Sequence, residues 1–296
     1  MKGVFFVEEK FEEFMKKNRL SDNSQSSYLN DLKIFKKYYL DSYGEELNEL
    51  IHTDIAMYIN FLKREGMKAT TINRKLAALK QYNLFLVSQK VQTDIVILDK
   101  DYIKIQPSPV QKDLPTIQEL NKLKHFAAKD TKNPERDYCF IALFTYGGLR
   151  ESELVGLRLV DIKLNERFLN IFGKGNKFRQ VIINNIMYDA LSSYLEIRKS
   201  IKTENNYLFL GQKNVNTKKP LNRNFCNRLL NKYKELCKFA KLHPHLLRSF
   251  FCTNALHNAG YSIEQVAAQA GHSSLNTTKA YLATKKEDLI SLANNL

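Results

Sequence analysis

Six residues in the second half of this chain carry side chains suited to work on a phosphate: Arg150, Lys174, His245, Arg248, His272 and Tyr281. Arg150 follows the Gly147-Gly148 break and precedes Glu151–Leu157, which reads as a short helix, so its guanidinium is presented from a fixed turn. His245 and Arg248 stand three residues apart in a helical run, and side chains at that spacing point from one face. His272 follows Gly271 at a helix break, and Tyr281 comes nine residues later, near the end of the next short helix. Lys174 and Lys177 lie on Gly173-Lys174-Gly175-Asn176-Lys177, the tip of a hairpin, where a lysine can reach into a groove and give a proton to a leaving oxygen. The Gly-x-Gly of this tip lacks the Gly-x4-Gly-Lys-Ser/Thr spacing of a phosphate-cradling loop and opens no helix. Taken singly, Arg150 reads better as a surface arginine, the tip lysine as a solvated turn residue, His272 as a capping or core histidine and Tyr281 as a half-buried tyrosine.

The elements that must position them follow from periodicity. Residues 1–90 read as a domain of four helices, at Val7–Asn18, from about Ser24 to Tyr43, from a Thr53 cap to Gly66, and from Thr70 or Thr71 to about Leu86. The fourth is expected to expose Arg74, Lys75 and Lys80, with Thr70 and Thr71 at its N-terminus, where helix amides and a basic face suit a phosphate. Residues 91–114 lose the periodicity, are punctuated by Pro107 and Pro109, and read as an extended linker. Residues 115–296 form the second domain. It opens on the capping box Thr116-Ile117-Gln118-Glu119, holds a helix after Pro134, then the β-rich runs Phe168–Phe172 and Phe178–Ile183. Helices follow at Met187–Lys199, Arg223–Ala240, Pro244–Ala259, Ile263–Ala270 and Ser274–Tyr281. The expected fold is therefore mainly helical with a small antiparallel sheet, without internal repeats.

The 296 residues include 46 Lys and Arg against 31 Asp and Glu, a net charge of +15, which makes a polyanion the leading partner. The charge is concentrated. Residues 1–107 hold 17 basic and 15 acidic side chains, and residues 108–296 hold the other 29 and 16. Hydrophobic residues at 44% and charged residues at 26% exclude a disordered, collagenous or disulfide-scaffold protein. No apolar run approaches 18 residues, and the N-terminus meets Glu8 and Glu9 too soon for a signal peptide, so a cytoplasmic location is expected. The four cysteines form no Cys-x-x-Cys pair and read as reduced, apolar side chains. A zinc site from Cys237, His243, His245 and Cys252 fits no ligand spacing, so no metal is expected.

The order and separation of these residues resemble the tyrosine recombinase, or phage-integrase-like, family over nearly the whole chain. Ala142–Leu154 resembles the family's first box, His243-Pro244-His245-Leu246-Leu247-Arg248 its second, and Ala270–Tyr281 its third. The lysine-bearing tip at 173–177 resembles the hairpin of the Xer subgroup. Two positions depart from the Xer pattern: Ser249 stands where a histidine is common, and His243 where a small hydroxyl residue is common.

The resemblance implies a SAM-like N-terminal core-binding domain and a C-terminal catalytic domain that together clamp duplex DNA. It implies that Tyr281 attacks a phosphodiester, that Arg150, Arg248 and His272 hold the phosphate oxygens, that His245 is the general base and that Lys174 is the general acid. Thr70, Thr71, Arg74, Lys75 and Lys177 are the expected DNA contacts. Covalent capture of the strand conserves the bond's energy, so neither a nucleotide cofactor nor a metal is needed. The implied partners are double-stranded core sites, further copies of the chain (a dimer on one site, a tetramer in the synapse) docking through residues 287–296, and a second recombinase or accessory protein. A prokaryotic enzyme on nucleoid or plasmid DNA is expected, serving Xer-like resolution or mobile-element integration. The alternatives weighed are a type IB topoisomerase and a non-catalytic DNA-binding protein on the same scaffold.

Overall fold

The computed structural model describes residues 2–105, 114–129, 132–173, 178–222, 224–272, 274–279 and 281–282, with side chains from residue 8 onward. Lys174 and Lys177 lie outside the described residues, as does the segment 287–296. The chain divides into two compact units, Met1–Ser108 and Pro109–Leu296.

The first unit is built from α1 (Lys2–Lys17), α2 (Asp22–Tyr43), α3 (His52–Arg64) and α4 (Ala69–Ser88). Phe11, Leu32, Phe35, Tyr58, Leu76 and Tyr82 recur at helical spacing and meet in one aromatic-rich core. Helix α1 begins at Lys2, five residues before the expected Val7, and the caps of two further helices differ from expectation. Ile51, not Thr53, is the N-cap of α3, and Lys68 is the N-cap of α4, with no side-chain cap bond at either. At α3 the entry is set from outside the helix: the Gln92 amide pairs with both the N–H and the C=O of Leu50, at 3.2 and 2.9 Å. The face of α4 also differs. Lys75 is only 4% exposed and pairs at 3.2 Å with the buried carboxylate of Asp31. It is therefore not presented to a phosphate, because a buried Asp31 requires a cation beside it. Arg74 pairs with the same carboxylate from a more exposed position.

Of the stretch 91–114, residues 92–103 run along this unit and are held by side-chain amides. Asn83 donates to the Asp94 carbonyl at 3.0 Å and accepts from the Val96 amide at 2.8 Å. Asn73 does the same for Ile103, at 2.8 and 2.9 Å. Each asparagine thus imitates a strand neighbour for a segment that has none, and Ile97 is fully buried beneath it.

The second unit comprises α5 (Ile117–Lys129), α6 (Pro134–Gly147), α7 (Glu151–Val155), β1 (Ile162–Lys163), β2 (Phe168–Phe172), β3 (Phe178–Ile182), α8 (Asn185–Ser200), α9 (Asn224–Cys237), α10 (Pro244–His257), α11 (Ile263–Ala270) and α12 (Leu275–Lys279). The capping box at α5 forms as read: the Thr116 amide donates to Glu119 at 2.7 Å, and the Glu119 amide donates to the Thr116 hydroxyl at 3.2 Å. Helix α6 is the core, with Cys139 through Phe144 wholly buried against α5, α8 and α10. The antiparallel sheet runs β1-β2-β3, with Leu169 opposite Val181 and Phe172 opposite Phe178. Strand β1 is too short for a sequence period to reveal. All four cysteines are buried thiols.

Candidate active site

The chain reaches the site through two glycines in the left-handed region. Gly148 ends α6 at φ +60°, and a Cβ there would lie 2.4 Å from the Phe251 ring. Gly271 ends α11 at φ +69°, and a Cβ there would lie 2.8 Å from the Arg179 guanidinium. Both turns need a residue without a side chain.

The first turn delivers Arg150 at the N-cap of α7. Its amide donates to Glu153 Oε2 at 2.8 Å, its Nη1 donates to Glu153 Oε1 at 2.9 Å, and its Nη2 donates to the Gly271 carbonyl at 2.5 Å. Its side chain keeps 39% exposure, facing the cavity. Arg248 comes from the second turn of α10 and is only 5% exposed. Its guanidinium donates to the Gly148 carbonyl, so the break before Arg150 also anchors the second arginine. Burial, and then the nearby Arg150 charge, lower the pKa of Arg248 from its ordinary value.

His243 is the N-cap of α10, its Nδ1 accepting from the Leu246 amide at 3.2 Å, and Pro244 fills the first helical position. That geometry turns His245 and Arg248 toward the same cavity. His272 follows the second glycine turn and pairs with Thr278 Oγ1 at 2.8 Å. Burial first, then the charges of Arg248, Arg150 and Arg179, hold its pKa down to about 4, so it is neutral near pH 7. Tyr281 lies just past α12, which is shorter than expected. The Tyr281 amide donates to the Thr278 carbonyl at 2.9 Å, and its carbonyl meets His257 Nε2 at 3.0 Å. Burial raises the pKa of the phenol, while a hydrogen bond with Ser249 and the charge of Arg248 oppose that rise.

Arg150, His245, Arg248, His272 and Tyr281 thus line one open cavity of about 640 Å³, together with Glu151, Asn227 and His243. Sequence reasoning did not single out Glu153, Arg179 or Thr278, and it marked Ser249 only as a departure from the Xer pattern. A signal for Arg179 existed: it occupies an inward register position of β3, where an apolar residue was due. The N-terminal set is less concentrated. Thr70 is exposed and Thr71 half-buried in the first turn of α4, and the exposed Arg74 follows in the second turn.

A helical N-terminal unit, a mostly helical second unit with a small sheet, and a tyrosine set among two arginines and two histidines define a tyrosine recombinase. The comparisons with known proteins agree. Residues 114–288 match the phage integrase family, and residues 9–90 match the N-terminal SAM-like domain of phage integrases. The TnP I resolvase of Bacillus thuringiensis is 35% identical over 282 residues, covering 93% of this chain and 94% of that protein. Tyrosine recombinase XerC of Staphylococcus carnosus is 28% identical, covering 96% and 94%. Among solved structures, XerA recombinase is 25% identical with a TM-score of 0.55, covering 99% and 98%. The Tn1549 transposon integrase in complex with a circular intermediate DNA shares the fold, with a TM-score of 0.70 at 20% identity and 98% coverage of both chains. This chain belongs to the phage integrase family. No described helix is long and apolar enough to cross a membrane.

Proposed function

We propose that this chain is a site-specific DNA recombinase that resolves joined DNA molecules, with Tyr281 as the nucleophile. The observation that supports it is the convergence of Arg150, His245, Arg248, His272 and Tyr281 on one cavity from four separate segments. The resolvase name of the Bacillus thuringiensis relative supports resolution in particular.

In the proposed reaction the Tyr281 oxygen bonds to phosphorus as the bond to the 5′-oxygen breaks. A 3′-phosphotyrosyl enzyme and a free 5′-hydroxyl result. His245 takes the phenolic proton, and Lys174 gives one to the leaving 5′-oxygen. The two guanidinium groups and neutral His272 hold the non-bridging oxygens, where the transition state gathers negative charge. The reverse attack by a 5′-hydroxyl of another strand rejoins the DNA. Two copies on each core site and four in the synapse carry out the exchange, with residues 287–296 docking between copies, on nucleoid or plasmid DNA in a prokaryotic cytoplasm. Thr70, Thr71, Arg74 and Lys177 contact the duplex.

A nicked suicide substrate tests the reading, because loss of a short 5′ fragment traps the covalent complex. Wild type gives a protein–DNA adduct stable to detergent. Tyr281→Phe gives none and still binds the site. An adduct surviving that substitution would overturn the assignment. Loss of cleavage in Lys177→Ala but not in Lys174→Ala would move the general acid to Lys177. Deleting residues 287–296 spares binding of one copy and removes cooperativity in a gel shift.

A further inference from the structure

Arg179 is a partly buried arginine that the chemistry above does not use. It sits on β3, two residues after the lysine-bearing tip, and its side chain is 12% exposed. Its Nη1 and Nη2 donate to Glu153 Oε1 and Oε2, both at 2.8 Å, a bidentate fork. Its Nε donates to the Gln269 carbonyl at 2.9 Å. Glu153 is the same carboxylate that takes the Arg150 amide and Nη1, and Arg150 Nη2 closes back on the Gly271 carbonyl. A ring therefore runs from Arg179 through Glu153 to Arg150, on to Gly271, and through Gln269 back to Arg179. The Gln269 side chain adds bonds to the Ile182 amide and carbonyl, at 3.3 and 3.4 Å.

We propose that Arg179 is a positioning residue, which aims the guanidinium of Arg150 and the His272 loop by holding Glu153 and the end of α11 on β3. The proposal rests on the reading of Arg150 as a phosphate clamp. The physical reason is competition for one carboxylate. Without Arg179, Glu153 would face Arg150 alone and draw its guanidinium into a two-pronged pair, away from the cavity. With Arg179 taking both oxygens, Glu153 meets Arg150 through one Nη1 bond and one amide bond, which orients the guanidinium without consuming it. Burial alone would raise the pKa of Glu153, but the Arg179 bonds and charge, with those of Arg150, hold it at about 2, so the carboxylate stays charged at working pH. Lysine cannot replace this group, because an ammonium has no planar fork and cannot reach Gln269 at the same time. The strand that carries the tip at 173–177 is thereby coupled to the phosphate clamp.

The test is single-turnover cleavage of the nicked suicide substrate beside equilibrium binding of the uncleaved site, using the full chain. Arg179→Lys is expected to slow cleavage of bound DNA by about 10- to 100-fold, the usual effect of losing a residue that orients a functional ligand. Site affinity stays within about twofold and melting is retained. A merely structural role would not produce the second expected result. Arg150→Lys is itself slow, and adding Arg179→Lys to it slows it little further, since both act through one guanidinium. Full additivity, or weakened binding with unchanged cleavage of the bound complex, overturns the proposal. If Arg179→Lys does not fold, Glu153→Gln tests the same tether, and unchanged cleavage in that variant overturns it. If Arg150→Lys cleaves like wild type, the clamp reading fails and the proposal with it. If only Arg179→Lys cleaves like wild type, the proposal fails and the clamp stands.

Discussion

The ring of His272 lies parallel to the ring of Tyr281, with centroids 6.1 Å apart and planes within 6°. A neutral imidazole can lie flat beside a phenol in this way without adding charge, and burial, with three arginines around it, keeps it neutral. The pair brings together two residues of the third box that stand nine apart in the chain, the proposed phosphate-holding His272 and the proposed nucleophile Tyr281.

Neutral His272 has a consequence for acid stability. Its pKa in the folded chain, about 4, lies below its ordinary value of 6.5. The unfolded chain therefore binds a proton at this residue before the folded chain does. The stability His272 contributes is whole above pH 6.5 and drains away as pH falls from 6.5 to 4. Melting temperatures of wild type and His272→Gln should converge over that window. A constant gap from pH 7.5 to 4.5 would contradict the shift.

Ser249 is fully buried and hydrogen-bonded to Tyr281. That bond favours the phenolate, against the burial that opposes it. Ser249→Ala should raise the phenol's pKa and move the alkaline rise of the cleavage rate to higher pH. The rate at pH 7 should fall by about 3- to 10-fold, the worth of one hydrogen bond, with DNA affinity unchanged. The pH–rate profile of adduct formation checks this, and an unshifted profile removes the role.

Gly148 carries two constraints, a left-handed backbone and a Phe251 ring where a Cβ would stand. Gly148→Ala should destabilise the second unit by about 2 kcal/mol or more, from backbone strain and displacement of the ring. Cleavage should suffer further, because the Gly148 carbonyl anchors Arg248. Urea unfolding and suicide-substrate cleavage measure the two effects separately.

Asn83, also fully buried, clips residues 94–96 to the first unit. Asn83→Ala should expose the Val96 amide and speed its hydrogen exchange by about tenfold or more, at a cost of about 1–3 kcal/mol for the unpaired backbone groups. Exchange at amides inside α2 should be unchanged, which distinguishes a lost clip from general loosening.

The site was legible in the sequence where chemistry and local spacing coincide. His245 and Arg248 share a helix face by arithmetic, and both point into the cavity. Strand β2 spans Phe168–Phe172 and α11 spans Ile263–Ala270, at the ends their turn residues marked. Lys75 was not legible, because its spacing suits either face of α4. Its burial follows from Asp31, 44 residues earlier, a charge that no local pattern announces.

The sequence by itself determined the family, the two helical-rich units and the residue types at the site, because boxes of glycine, arginine, histidine and tyrosine are contiguous along the chain. Only the tertiary structure decided how those residues are held. Glu153 is shared by Arg150 and Arg179, Gly148 holds Arg248, and Ser249 meets Tyr281. These partners sit 26, 100 and 32 residues apart where they cross between boxes. Hydrogen bonds reach about 3 Å whatever the separation along the chain, so only the folded core could bring such pairs together.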